Sequence, residues 1–189
     1  IRHEMEPGHI TFYEKRTQAY IDTCWPEMAV SSLYSPSSAF TEGSARYAIS
    51  MCFEHDMDKQ LKFEKENIFE PAGLDTSLLK YMPLWHRYME ISGYAKLEAT
   101  RNLWDKKWSL EEASEFLKRY GFIALDADDS VIRNLAAGIG HFVSHDFARD
   151  VVIAFFKSEA NTVDEEWELY ERLCSGHMSM SKMLEVYNE

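Results

Sequence analysis

The sequence predicts an all-α fold, and three observations carry that prediction. Glycine and proline are scarce, at 8 and 5 of 189 residues. No stretch of any length alternates apolar and polar residues in the way of a half-buried strand. Between the few breaks, apolar residues recur at the spacing of one helix face.

A first helix is predicted from about Gly8 to Thr23, ended by the stretch CWPEM. Residues 31–38, SSLYSPSS, predict a polar loop. The run SAFTEGSARYAISMCFEHDM then predicts a second helix, with Ser38 or Thr41 as its cap. Its apolar face would be Ala45, Ala48, Ile49, Cys52 and Phe53. A break at FEPAGLD (69–75) precedes a third helical region from about Thr76 to Lys106, which Pro83 is placed to kink or split. The cleanest helix is WSLEEASEFLKRYG. Ser109 caps it, Glu112 completes a capping box and Gly121 ends it, over a stripe of Leu110, Ala113, Phe116 and Leu117. Residues 126–160 open on an acidic cap, DADDS, and predict two helices, or one bent at Gly138 and Gly140. A last helix pair has Thr162 as a cap and Gly176 as a stop. No repeat is visible, and residues 1–189 read as one multi-helix domain.

With 46% hydrophobic residues the chain can bury a substantial core. Twenty basic against 32 acidic side chains leave a net charge of −12, which argues against nucleic acid or anionic lipid as a partner. No apolar run reaches the roughly 18–20 residues of a membrane span. Cys24, Cys52 and Cys174 are odd in number and form no C-x-x-C pair, so they predict free thiols, small buried hydrophobes and a reducing, cytoplasmic location. There is no initiator Met and no export signal. The expectation is therefore a chain truncated at its N-terminus.

The opening stretch IRHEMEPGH carries the chemistry. A helical zinc motif is H-E-x-x-H, because imidazoles four residues apart share one helix face. Here Pro7 stands four after His3, and the second imidazole, His9, arrives two residues late. On an unbroken helix a six-residue offset leaves the two side chains roughly 120° apart. Pro7-Gly8 cures this only by bending or bulging the turn. Two imidazoles and a carboxylate bind zinc well, and Glu42, at a predicted helix start with Gly43 beside it, offers the third ligand. Zinc brings the pKa of its water to about 7, and Glu4 has the chemistry to take that proton. The bland alternative makes His3 a frayed terminal residue and His9 an ordinary surface or core histidine.

HEMEPGH followed by AFTEGSARYA resembles the bacterial domain-of-unknown-function family 885, helical zincin-like proteins read as metallopeptidases. Its pattern is H-E-x-x-P-G-H-H and then E-G-W-A-L-Y-A-E. The likeness extends to WSLEEASEFL, IGHFVSHDFA and LCSGHMSMSKML, so it spans most of this chain but only the C-terminal part of a family member. The resemblance implies His3, His9 and Glu42 as zinc ligands, Glu4 as base and peptides as substrates. Departures accompany it: Ile10 replaces the second His of the pair, Ser44 the Trp after E-G, and Ile49 the second Glu. The family's Arg, Asp and His before the Trp motif fall at Lys96, Thr100 and Trp104. His145 stands where the family shows Tyr, a position from which a side chain donates to a developing oxyanion.

Weaker features complete the reading. His141 and His145 have metal-ligand spacing on a predicted helix, or are a glycine-rich packing point. Glu54-His55-Asp56 reads as a solvated helix face. DADDS lacks the twelve-residue spacing of a calcium loop, so it charges a helix N-terminus. The Met-rich tail reads as core or interface packing, and no nucleophile-elbow pattern supports a serine or cysteine hydrolase. The function expected is zinc-dependent peptide hydrolysis. The alternative is a non-catalytic helical interaction module or fragment, able to form a homo-oligomer.

Overall fold

The computed structural model describes residues 2–30, 32, 35–122, 143–176 and 178–188, and every regular element among them is helical. Helix α1 (His9–Thr23) ends at Cys24 in the left-handed region and is followed by one turn, α2 (Pro26–Ala29). Helix α3 (Pro36–Met51) begins inside the predicted polar loop. Ser35, not Ser38 or Thr41, is its cap: the Ser35 hydroxyl accepts from the Ser38 N–H, and Pro36 takes the first helical position. Thr41 instead lies in the buried interior, its hydroxyl donating to the Ser37 carbonyl at 2.8 Å.

Helix α3 also stops earlier than predicted. The chain reverses after Met51, with Glu54 and His55 both at positive φ, and Asp56 caps α4 (Met57–Glu64). Glu54-His55-Asp56 is thus a turn and a cap rather than a helix face. Of the predicted apolar face, Ala45, Ala48 and Phe53 are buried while Ile49 and Cys52 are half-buried. Ser44, Tyr47 and Met51 are buried as well, so α3 is enclosed on more than one side.

Helix α4 runs on into a π-turn (Lys65–Phe69), and a 3₁₀ turn (Thr76–Tyr81) leads to α5 (Met82–Trp104). Pro83 sits in the first turn of α5, where its missing N–H has no partner to lose, so it starts the helix rather than kinking it. Helix α6 (Leu110–Tyr120) carries the predicted Ser109–Glu112 capping box. A π-turn (Val143–Phe147) enters α7 (Ala148–Glu159), followed by α8 (Val163–Cys174) and α9 (Met180–Tyr187). Thr162 caps α8 through a second capping box, and Gly176 follows it at φ +80°, a conformation that favours glycine. The acidic stretch 126–130, the bend expected at Gly138 and Gly140, and His141 lie outside the described residues.

Helix α3 is the central element, packed on α7, the 143–147 π-turn, α8 and α1. Gly43 permits the closest of these approaches, since a Cβ there would meet the Ala148 carbonyl oxygen at 2.7 Å. The main core joins Phe12, Tyr47, Met51, Phe155, Phe156 and Leu173 with Met183 of the tail. A smaller cluster of Ala95, Ala99, Ala113 and Leu117 holds α5 against α6. All three cysteines are free; Cys174 is buried, but Cys24 is exposed, because it caps a surface helix rather than facing the core. Among the described residues no helix is long and apolar enough to cross a membrane.

Candidate metal centre

Residues 2–8 form a wide turn rather than a bent helix, and α1 begins at His9. Three backbone bonds close that turn: His9 N–H to His3 O at 2.9 Å, Gly8 N–H to Arg2 O at 3.1 Å, and Ile10 N–H to Met5 O at 3.2 Å. The six-residue spacing therefore never passes through helical geometry. The imidazoles of His3 and His9 meet edge to face, with centroids 4.6 Å apart.

Gly8 makes this closure possible, because a Cβ there would lie 1.8 Å from the His3 carbonyl oxygen. Backbone on that side cannot swing away as a flexible side chain would. Gly8→Ala is expected to open the turn at a cost of about 1–3 kcal/mol, as overpacking does. Circular dichroism should then show retained helix while imidazole NMR shows His3 and His9 separated. An unchanged ring–ring contact would refute this account of the turn. Across the fold, the buried Tyr170 of α8 donates its hydroxyl proton to the Pro7 carbonyl, with the Gly8 carbonyl 3.4 Å away.

Glu42 reaches the same point from α3. His3 Nε2 lies 3.3 Å from Glu42 Oε2, and His9 Nε2 lies 3.5 Å from Glu42 Oε1. One ligand atom from each of the three residues falls within 4.8 Å of the others. The set is therefore close enough to hold a metal ion.

The state of Glu42 fits the same reading. Its Oε2 is closed to solvent and accepts no well-formed hydrogen bond, although His145 Nε2 lies 3.0 Å away and His3 Nε2 3.3 Å. These approaches favour its charge. Burial by itself would raise the Glu42 pKa; the imidazoles of His145, His3 and His9 outweigh it and hold the carboxyl well below its usual range. Burial lowers the pKa of His9, against the opposing pull of Glu42, and so favours the neutral imidazole that metals bind. His9 Nδ1 is buried without a hydrogen-bond partner, so the outer-shell contact that usually orients a ligand imidazole is missing there.

The remaining predicted site residues take distinct places. Glu4 is largely exposed, at 72%, with its carboxylate oxygens 3.9 and 4.0 Å from the Nε2 atoms of His3 and His9. It stands beside the two imidazoles and open to solvent. His145 projects from the 143–147 π-turn onto Glu42 and does not join the mutual three-residue set. That turn is clamped: Asp146 Oδ1 pairs with Arg46 of α3 at 3.4 Å, and its carboxyl carbon presses on Gly93 of α5, where a Cβ would come within 2.4 Å. Neither Tyr170 nor the Asp146 clamp has a local sequence signal, since a buried tyrosine on an apolar stripe reads only as core.

His55 lies apart from this centre. It stacks on Tyr47 and meets Glu166 Oε2 at 2.6 Å, while the Tyr47 hydroxyl donates to Glu166 Oε1. Comparison with protein-family models, with curated proteins and with solved structures returned no match.

Proposed function

We propose that this chain is a zinc-dependent, metallopeptidase-like hydrolase, complete or as a divergent fragment, of the helical zincin-like kind its motifs resemble. The observation that carries the reading is the convergence of His3, His9 and Glu42 at ligand spacing, with Glu4 beside them on the open side. His3, His9 and Glu42 would hold the ion through two imidazoles and one carboxylate. Zinc, when bound, supplies Lewis acidity at a peptide carbonyl and makes water a nucleophile near neutral pH. Glu4 would serve beside such an ion as the general base, accepting a proton at its carboxylate and passing it to the leaving amine. His145, with Nε2 3.0 Å from Glu42 Oε2, would keep Glu42 charged and aimed, a positioning role in place of the oxyanion contact its family position implies.

Glu4→Gln is expected to leave zinc retention unchanged and to lower hydrolysis of mixed peptides by about 10²–10⁴-fold, the usual share of a general base. Undiminished hydrolysis would remove Glu4 from the mechanism. Zinc without any Glu4-dependent hydrolysis would favour a metal-binding fragment. Tyr170→Phe removes the anchor of the ligand turn and should weaken zinc binding about 10–100-fold in a chelator competition, as loss of an outer-shell partner does. Equal affinities for the variant and the parent would confine Tyr170 to the core.

A second reading, a helical interaction module, is favoured by the row of exposed apolar residues Leu78, Tyr81, Leu84 and Trp85, each more than half exposed. Light scattering decides it: a concentration-dependent dimer that Trp85→Glu dissolves supports the module, and a monomer at all concentrations excludes self-association.

A further inference from the structure

Beside the candidate centre lies a cavity of about 450 Å³, within the size range of small-ligand sites. Its walls are Ile49 of α3, Phe53 of the following turn, Phe63 of α4 and Ile68 of the π-turn, and His3 stands in its lining. The cavity and the triad therefore share a residue, His3.

The walls are built to last. Phe53 and Phe63 pack with centroids 5.6 Å apart, and the Arg2 guanidinium lies over both rings at 5.3 and 4.8 Å. Arg2 Nη1 also donates to Cys52 Sγ at 3.6 Å, which ties the chain just before His3 to the wall. Charge gives the cavity no strong sign. Its charged lining is Arg2, Glu6 and Glu64, with the imidazole of His86 beside them, and Glu64 Oε1 is already taken by Gln60 Nε2 at 2.8 Å. Selection is then by apolar surface and shape, since an acid meets the glutamates and a base meets Arg2.

We propose that this cavity is a side-chain pocket of the metal centre and takes a large, uncharged apolar side chain of a peptide next to the bond that is cut. The assignment rests on the hydrolase reading for the word substrate; binding in the pocket needs no metal. Its ligand class is a phenylalanine- or leucine-sized side chain on a peptide backbone. Ile49 and Ile68 are the specificity-determining walls.

The test uses the full chain stripped of metal by chelation, with isoleucine δ1-methyl groups labelled for NMR. N-acetyl-phenylalaninamide is the probe and N-acetyl-alaninamide the comparator. The expected result is a saturable shift of the Ile49 and Ile68 methyls, with contacts from the probe ring to Phe53 or Phe63, at least about tenfold tighter for the phenylalanine probe. Ile68→Glu, at a residue already 40% exposed, should abolish the shifts while the methyl of Ile21 in α1, which lines no part of this cavity, keeps its position. His9→Ala, which removes a proposed ligand outside the pocket lining, should abolish zinc retention and leave probe binding intact. Zinc retained with no shift of Ile49 or Ile68 overturns the pocket and leaves the metal centre standing. Probe binding in a chain that never retains zinc supports the pocket and overturns the metal reading. Equal affinity for the two probes overturns the pocket.

Discussion

Glu42→Gln is expected to lower zinc affinity by more than the roughly 100-fold that loss of an outer-shell partner costs. The substitution keeps the shape of the side chain and removes its charge. Among the described residues, Glu42 is the member of the triad supplied by the packed interior, since His3 and His9 belong to the opening turn and the start of α1. Metal analysis after dialysis against a chelator series measures the effect directly, and near-parental retention would dismiss the triad. The same variant tests the electrostatics of the metal-free chain. Glu42 has a pKa held below its ordinary 4.5, so its contribution to stability is present above that pH and fades as pH falls. His9 has a pKa held below its ordinary 6.5, so acidification charges the unfolded chain first and again costs stability. Both act in one direction. The metal-free parent should lose stability as pH drops below about 6.5, and Glu42→Gln should lose less at the acid end of that range. An identical pH dependence would show that the three imidazoles do not act on Glu42.

Phe156→Ala is expected to cost about 3–5 kcal/mol, the range for removing a fully buried phenylalanine. Phe156 is wholly enclosed and meets the ring of Tyr47 edge to face at 5.4 Å, across the contact of α7 with α3. Losing it would loosen the packing of α7 on α3, the helices that flank the His145–Glu42 contact. Chemical denaturation reads the change. A loss below about 1 kcal/mol, the ordinary value for a single substitution, would mean that this contact is not the centre of the core.

Much of the helical framework is legible in the sequence because its signals are local. The Ser109–Glu112 box, the Thr162 cap and the stop at Gly176 each depend on residues within four positions of one another. Where local signals compete, the sequence does not decide between them. Thr41 and Ser38 can each cap a helix, but Ser35 with Pro36 behind it does so earlier, and the longer helix buries Thr41. Pro83 could equally have kinked α5 or started it, and only the 3₁₀ turn before it shows which. His55 looked like part of a solvated face because nothing nearby announces Glu166, 111 residues away.

The candidate centre divides along the same line. The sequence by itself determined the all-helical class and the residue types able to bind a metal: His3, Glu4, His9 and Glu42. It also marked the Pro-Gly pair that forbids an ordinary helical motif. Only the tertiary structure decided that His3 and His9 converge, through a turn closed by His9 N–H on His3 O, which Tyr170 anchors from 163 residues along the chain. It likewise brought Glu42 and His145 together, by letting α3 and α7 approach at Gly43. The physical reason is range. Caps and apolar periodicity act over one helical turn and leave a mark in the sequence. Ligand convergence depends on packing between helices far apart in the chain, and their contact surfaces exist only once the core has formed.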